Sequence, residues 1–335
     1  MSTIRKIAEY TNLSPSTVSI VLNGKSVSRN ISEKTVNKVL EAAKELGYTP
    51  NISARRLRNN NTKKYIVVFW ANDFRAPLLF EFIKGMQQYI EDTQTDTEIV
   101  LKLFTPDLLY KALQPDTLAM YSSAVICTAS NKDLEYLEMT DFTTPIVLYN
   151  RFSKKYSNVL VQNHEIGKKA AELFAEHNKK NAVIFTAQDG QYIYSEKRMS
   201  GFMKTFSEAG GITTVINAPQ NSMRSGYDTI KQTESMFRNA DCVFCLYDVL
   251  AISYLDYLRN TNLVSVPENQ EIISIGTNDN DTYESLFIPL SIIKIPISEM
   301  GKECMRMVIE KSNGDYNEAE SKIIDFVYTS RLTSK

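Results

Sequence analysis

The sequence predicts an α/β protein in which a small, all-α helix-turn-helix domain precedes a larger body of two doubly wound parallel sheets. Three observations predict this class. Short helices with recognisable cap residues fill residues 1–49, and apolar runs alternate with amphipathic segments through the rest of the chain. The charge is also uneven, because residues 1–64 carry a net +8 and the remainder a net −9 within a chain of 335 residues.

The composition is that of a globular protein of two or three domains, with 43% hydrophobic and 23% charged residues. Residues 1–25 contain no apolar core of a signal peptide, and no apolar run approaches the ~18 residues that span a membrane. We therefore expect a cytoplasmic protein without membrane contact. The four cysteines are too few for a disulfide scaffold and indicate a reducing compartment; they are Cys127, Cys242, Cys245 and Cys304.

The basic N-terminal segment predicts a polyanionic partner. Residues 1–64 hold twelve Lys and Arg against four Glu and no Asp. Such a one-sided charge is typical of nucleic-acid binding. The alternative is a solvated charged surface, on which both signs usually intermix.

Spacing and cap residues mark the first two helices. Apolar residues in 4–8 have helical spacing and predict a helix over residues 3–10. Ser14 is an N-cap residue, and Pro15 suits the first position of a second helix. That helix should end at Leu22, before Asn23-Gly24. We expect it to turn Val18, Val21 and Leu22 inward and to leave Ser16, Thr17, Ser19, Ile20 and Asn23 outside.

A third helix completes the unit. Ser32 repeats the cap, and Gly47 ends the helix. Two short helices joined by a tight turn and braced by a third form a helix-turn-helix, whose second helix enters the major groove of DNA. Small hydroxyl side chains on that helix can approach bases and phosphates closely. The inward residues of the third helix should be Val36, Val39, Leu40, Ala43 and Leu46.

Three segments carry a family resemblance. TVSIVLNG (17–24), LGYTPN (46–51) and ARRLR (54–58) closely resemble motifs of the LacI/GalR family of bacterial transcription regulators. The resemblance extends more loosely to the C-terminus. Ile20 departs from it, because the family usually has Arg there to read guanine. Isoleucine donates no hydrogen bond but can pack on a thymine methyl group, which predicts a different operator.

Residues 50–62 resemble the linker of that family. Ile52–Arg58 alone is too short to form a stable helix. The resemblance implies that it folds on DNA and that Leu57 wedges into the minor groove beside its symmetry mate. The alternative is a disordered basic tether. Together with the helix-turn-helix residues, the DNA contacts implied here are Asn51, Ala54, Arg55, Leu57 and Arg58.

Residues 63–335 should form an effector-binding and dimerisation domain. Buried parallel strands are predicted at 65–70, 98–104, 123–127, 146–149, 182–185, 242–246 and 272–275. Helices are predicted near 77–92, 164–177, 195–209, 225–237, 247–260 and 298–311.

The resemblance implies a body like that of periplasmic sugar-binding proteins, with a ligand cleft between two lobes. The N-terminal lobe would comprise 63–161 and 293–325, and the C-terminal lobe 162–292 and 326–335. The chain should cross between them near 160–163, 291–293 and 324–327.

The effector-binding residues follow from the same resemblance. Arg198, in Ser195-x-x-Arg198-x-x-Gly201, would grip effector oxygens through its planar fork. Asn150 and Asn278 stand where the family usually has carboxylates that bind diols. Their amides weaken the case for a plain sugar and, together with Arg198, suit an anionic effector such as a sugar phosphate better. The alternatives are a cleft that has lost its ligand and an Arg198 that forms only an ion pair. The expected contacts are Phe74, Ala76, Asn150, Arg198, Tyr247, Asp248 and Asn278.

No other chemistry is indicated, and we expect no enzyme activity, metal or cofactor. Cys242 and Cys245 point to opposite faces of a strand, so they should be buried thiols. The sequence thus predicts a homodimeric regulator, most simply a repressor of carbohydrate genes, that binds a pseudo-palindromic operator and answers to a small effector. The alternatives are an activator, a solute-binding protein, an enzyme with an accessory DNA-binding head, or a regulator controlled by a protein partner or by no effector.

Overall fold

The computed structural model describes residues 4–22, 31–46, 63–73, 75–76, 78–188, 193–277, 280–314 and 318–334. The chain divides into two compact units, Met1–Thr62 and Lys63–Lys335. Within the described ranges, no helix is both long and apolar enough to cross a membrane.

The first unit contains three helices, α1 (Ile4–Thr11), α2 (Pro15–Leu22) and α3 (Glu33–Glu45). The turn between α1 and α2 passes through Asn12, whose φ of 55° suits an asparagine. The small core that joins the three helices confirms the predicted helix-turn-helix. Its buried members are Ile7, Ala8, Val18, Val21, Val39, Ala42 and Ala43.

The inward face of α3 differs from the prediction at one position. Leu40 is 49% exposed, whereas Ala42 is buried. Val39, Ala42 and Ala43 form the buried stripe with the half-buried Val36 and Leu46 beside it. The stripe is therefore narrower than expected, because small alanines let α3 pack closely and Leu40 lies just outside it.

The first lobe of the second unit is built on a six-stranded parallel sheet of order β11-β5-β4-β3-β1-β2. The central strands are apolar on both faces because helices cover both sides. The strands are β1 (Lys64–Ala71), β2 (Thr97–Phe104), β3 (Ser123–Cys127), β4 (Ile146–Tyr149), β5 (Ser157–Leu160) and β11 (Ser321–Ile323).

The second lobe repeats this design in the order β12-β10-β9-β8-β6-β7. All neighbours are parallel except β10 and β12. The predicted pair of doubly wound sheets is thus confirmed. The strands are β6 (Asn181–Ala187), β7 (Ile212–Ala218), β8 (Cys242–Cys245), β9 (Glu271–Gly276), β10 (Ser291–Lys294) and β12 (Val327–Thr329).

Helices connect the strands of each lobe. The first lobe contains α4 (Leu78–Thr93), α5 (Leu109–Ala112), α6 (Pro115–Leu118), α7 (Asn131–Met139) and α14 (Ile297–Asn313). The second contains α8 (Asn163–Glu176), α9 (Ile193–Glu208), α10 (Met223–Gln232), α11 (Glu234–Arg238), α12 (Asp248–Thr261) and α13 (Asn280–Glu284).

Several elements differ from the sequence-based expectation. The helix expected over 225–237 is broken into α10 and α11 at Thr233. Strands β5, β7, β10, β11 and β12 were not predicted, because they are short or lie near a sheet edge, where apolar runs are weak.

The second lobe crossing also lies later than expected. Strand β10 pairs with β9 throughout, and the Ile295 amide still donates to the Gly276 carbonyl at 3.0 Å. Residues 293–295 therefore pair with the second sheet, beyond the boundary expected between 292 and 293. The chain crosses at 296, and α14 packs against α4 of the first lobe.

Candidate DNA-contact helix and interlobe cleft

Helix α2 is organised into an inner and an outer face. The Ser14 Oγ caps it by accepting the Thr17 amide at 3.0 Å. Val18 and Val21 are 0% and 4% exposed, so they hold the helix against α1 and α3. The predicted contact residue Ser16 is exposed, and Thr17, Ser19 and Ile20 are half-buried.

The outer face of α2 is polar but carries no formal charge. The Thr17 hydroxyl lies 2.8 Å from the Ser14 hydroxyl, so both oxygens belong to one hydrogen-bonded pair at the helix start. Small hydroxyl groups and one isoleucine can approach the base edges of a groove closely. None of these side chains carries a charge that would have to lose its hydration there.

Some of the predicted residues lie outside the described ranges. These are Asn23, Asn51, Ala54, Arg55, Leu57 and Arg58 of the DNA contacts, and Phe74 and Asn278 of the cleft contacts.

A cavity of about 310 Å³ lies between the two lobes of the body. Thr128, Asn150, Asp248 and Thr277 come from the segments that follow strands β3, β4, β8 and β9. This is the usual place for a ligand site in parallel sheets, beyond the carboxyl ends of the strands. The described lining residues are Arg75, Leu78, Thr128, Tyr149, Asn150, Arg151, Arg198, Asn221, Leu246, Tyr247, Asp248, Val249, Ile275, Thr277, Ile295 and Ile297.

Four predicted cleft residues come together in this wall, namely Asn150, Arg198, Tyr247 and Asp248. Ala76 does not, because it is exposed and its neighbour Arg75 turns inward instead. The Arg75 guanidinium is held by the Asp73 carboxylate and by the Thr128 carbonyl, the latter at 2.8 Å. The sequence-based reasoning missed Arg75, Arg151 and Thr277, although a position just after a strand is the signal that could have found them.

Arg198 is 5% exposed and projects from α9. Its Nε donates to the Asn163 Oδ1 at 2.9 Å, which orients the guanidinium at the boundary between the lobes. One turn earlier, the buried Ser195 hydroxyl lies 3.0 Å from the Tyr247 hydroxyl. The Ser-x-x-Arg spacing thus places two polar groups on the cleft side of one helix.

Asp248 begins α12, where a carboxylate is favoured by the helix dipole. Its Oδ1 accepts the Val249 amide at 2.9 Å. Its Oδ2 accepts the Thr277 hydroxyl at 3.0 Å and the Tyr283 hydroxyl at 2.6 Å. Both carboxylate oxygens therefore already accept hydrogen bonds from the protein.

Guanidinium groups outnumber carboxylates in the described part of the wall, even though Asp73 forms an ion pair with Arg75. Arg75, Arg151 and Arg198 carry guanidinium groups, whereas Asp248 carries the one carboxylate. The floor is aliphatic, with Leu78 and Ile297 from the first lobe and Val249 and Ile275 from the second. Such a wall combines strong hydrogen-bond donors with an apolar surface.

The cysteines are not among the described lining residues. All four are free and buried, as predicted for Cys242 and Cys245. Burial raises the pKa of the Cys127, Cys242 and Cys304 thiols well above the ordinary value. Across the described ranges, no three His, Cys, Asp or Glu residues are grouped as a metal site requires.

Both units match known families. Residues 3–51 match the model of bacterial regulatory proteins of the lacI family, and residues 170–331 match a periplasmic binding protein-like domain. The sucrose operon repressor of Lactococcus lactis subsp. lactis is 26% identical over 326 residues, covering 94% of this chain and 95% of the relative.

Solved structures agree with these matches. A LacI family transcription regulator from Clostridium acetobutylicum is 30% identical, with a TM-score of 0.74, covering 80% of this chain and 99% of that one. The lac repressor dimer bound to operator and the anti-inducer ONPF shares the fold, with a TM-score of 0.70 at 17% identity and 99% coverage of both chains. The resemblance inferred from the motifs is thereby confirmed, and the chain belongs to the LacI family of bacterial transcription regulators.

Proposed function

We propose that the chain is a transcriptional repressor that binds operator DNA as a homodimer. Its affinity for that DNA would rise or fall when a small molecule occupies the interlobe cleft. The observation that carries this proposal is the presence, in one chain, of a helix-turn-helix unit and a two-lobed body with a polar cavity. A regulator of this kind acts on chromosomal DNA in the cytoplasm.

Operator recognition is assigned to α2. Ser16, Thr17, Ser19 and Asn23 would face bases and phosphates in the major groove, and Ile20 would pack on a thymine methyl group. Because each subunit presents one such helix, a homodimer requires two half-sites in inverted orientation, which makes the operator pseudo-palindromic.

The linker supplies a second contact. Leu57 would wedge between base pairs in the minor groove, and its unstacking cost of a few kcal/mol would be offset by the added contact. Asn51, Ala54, Arg55 and Arg58 would lie along the sugar-phosphate backbone near that wedge.

The switch is assigned to the two lobes. A ligand in the cavity contacts Arg75 and Asn150 of the first lobe and Arg198 and Asp248 of the second, so it stabilises one lobe arrangement over another. That bias would change how the paired subunits present their two linkers. The described lining residues include no Cys, Ser or His, which supports ligand binding as the role of the cleft.

The effector class is a sugar or sugar phosphate. The cavity volume of about 310 Å³ suits a small polar molecule. A relative of similar length is named a sucrose operon repressor, which supports a carbohydrate-related effector.

The test begins with selection of DNA sequences by the full-length protein from a random pool. Enrichment of one inverted repeat is expected, and fluorescence anisotropy on that repeat should change when the right sugar, sugar phosphate or nucleoside is added. Failure to enrich any inverted repeat would overturn the operator proposal. Specific DNA binding that no compound alters would instead favour control by a protein partner, and turnover of a compound would indicate an enzyme.

A further inference from the structure

A chain of three buried or half-buried polar side chains crosses from one lobe to the other beside the cavity. Arg198 of the second lobe donates from Nε to the Asn163 Oδ1 at 2.9 Å. Asn163 in turn donates from Nδ2 to the Asn150 Oδ1 of the first lobe at 3.3 Å and to the Val161 carbonyl at 3.2 Å. Arg198 is 5% and Asn163 8% exposed.

The direction of these hydrogen bonds is set by the guanidinium. Arginine has donors and no acceptor, so the Asn163 atom facing it must be the oxygen. The Asn163 amide nitrogen then faces the Val161 carbonyl and Asn150, and Asn150 must present its own oxygen to it. Asn150 Nδ2 makes no hydrogen bond with the described residues, so it is the group that Asn150 can offer to a ligand.

The backbone fixes Asn150 in this position. It follows β4 with a φ of 51°, a left-handed conformation that asparagine tolerates better than most residues. Its amide donates to the Val159 carbonyl at 2.8 Å, and its carbonyl accepts Arg151 Nη1 at 2.8 Å. The side chain cannot exchange its two ends without breaking the bond to Asn163.

In the wall that the second lobe contributes, the acceptor atoms of the described carboxylate are also already used. The one described carboxylate there, Asp248, has both oxygens accepting bonds from Val249, Thr277 and Tyr283. The described lining also holds other acceptor atoms, such as the Asn221 amide oxygen, so a polyol would find partners there. A negatively charged group has the further advantage that the guanidinium groups of Arg151 and Arg198 outnumber this one carboxylate.

We propose that the effector carries a carboxylate or phosphate group, and that this oxyanion is bound by Arg198 and Asn150 Nδ2, with Asn163 holding both in their donating orientation. This inference rests on the proposed function, in which the cleft binds the effector. Charge-assisted bonds from a guanidinium to an oxyanion are about twice as strong as neutral ones, so a donor-rich cleft selects such a ligand over its uncharged analogue.

The test compares matched ligands on the full-length protein at constant ionic strength. The probes are glucose, glucose 6-phosphate, glucuronate and inorganic phosphate, and the readout is the midpoint of thermal unfolding with titration of any probe that shifts it. The charged probes are expected to raise the midpoint by a few degrees, while glucose does not. Glucose 6-phosphate and glucuronate distinguish a phosphate from a carboxylate site.

Two variants sharpen the test. Asn150→Asp keeps an oxygen for Asn163 but replaces the donor with a carboxylate, and Arg198→Gln removes the guanidinium. Each should weaken the binding of the charged probe at least ten-fold. Arg238→Gln is the matched control, because it removes the same charge from an exposed ion pair with Glu234 in α11, and it should bind the probe like the unmodified protein.

The outcomes separate the two proposals. If glucose binds as well as the charged probes, or if Asn150→Asp retains their binding, the oxyanion proposal is wrong. If a neutral compound both stabilises the protein and changes DNA affinity, the proposed function is supported and the oxyanion proposal is not. If no charged probe binds in the millimolar range, the oxyanion proposal is also overturned, and the response of the selected DNA to neutral compounds then decides the proposed function by itself.

Discussion

Gly201 of α9 lies so close to His164 of α8 that a Cβ atom added to Gly201 would come within 2.1 Å of the His164 carbonyl oxygen. The contact is reciprocal, because a Cβ on Gly167 would come within 1.9 Å of the Arg198 carbonyl oxygen. Two helices thus touch through their backbones at two glycines. This contact holds Asn163, at the start of α8, within hydrogen-bonding distance of the Arg198 guanidinium.

The first lobe contains the same arrangement. A Cβ on Gly85 of α4 would meet the Ser298 carbonyl oxygen at 1.8 Å, and one on Gly301 of α14 would meet the Phe82 carbonyl oxygen at 2.2 Å. In each lobe, two helices whose backbones touch at glycines therefore extend to the cleft. Leu78 and Ile297 line the cleft from the first lobe. The two walls are set by rigid backbone contacts.

Gly201→Ala is expected to destabilise the body by about 1–3 kcal/mol, the usual cost of overpacking. The added methyl group would meet the backbone carbonyl of His164, which cannot rotate away. It should also weaken ligand binding by displacing Arg198. Thermal unfolding and probe titration of the full-length protein measure both effects. Ser200→Ala is the control, since Ser200 is exposed on the same helix; equal melting of the two variants would contradict the close contact.

Val18→Ala is expected to lower the stability of the helix-turn-helix unit by about 2 kcal/mol, because Val18 is 0% exposed in a small core. Specific DNA binding should fall while unfolding of the body and its ligand binding stay unchanged. Ser16→Ala, on the exposed face of the same helix, should weaken DNA binding without loss of helix. Circular dichroism and anisotropy distinguish the two; full DNA affinity in Val18→Ala would argue against the packing of this core.

Ile20→Arg is expected to change the preferred base near the outer half of each half-site from thymine to guanine. Arginine donates two bonds to guanine, and isoleucine offers only apolar contact, a difference worth about 1–3 kcal/mol per base pair. Ile20 is half-buried on α2, so a longer side chain can extend into the groove. Selection from a random DNA pool measures the shift, and an unchanged motif would show that Ile20 does not read bases.

The four cysteines should resist a thiol reagent at pH 8 until the protein is unfolded in urea, because burial raises the pKa of each thiol. The unfolded chain then binds fewer protons than the folded one above about pH 8.5, so the free energy of unfolding should fall as pH rises further. Below about pH 8.5, the free energy of unfolding shows no loss from the buried thiols, because they are protonated in both states.

The slope measures this effect directly. Each thiol contributes up to about 1.4 kcal/mol per pH unit, and Cys245→Ala should reduce the slope between pH 8.5 and 10 whatever it does to the absolute stability. Urea unfolding at several pH values gives the slope. Rapid labelling of the folded protein, or a slope that the substitution leaves unchanged, would contradict the burial.

Much of the fold could be read from local patterns. Caps at Ser14 and Ser32 and the spacing of Val18 and Val21 predict helices whose bounds the structure reproduces within a residue or two. The strands that the sequence did not predict, such as β7 and β10, are short or amphipathic. Strands of this kind are stabilised by the neighbouring strand more than by their own residues, so the local sequence pattern is weak.

The sequence by itself determined the family, the helix-turn-helix and the alternation of strands and helices, because each depends on residues close together in the chain. Only the tertiary structure decided which polar groups share the cleft and which way their hydrogen bonds run. Arg75 replaces Ala76 in the wall, and Asn163 links Arg198 to Asn150 across the lobes. Hydrogen-bond polarity is a property of neighbours in space, and residues far apart in sequence acquire it only when the sheets and helices bring them together.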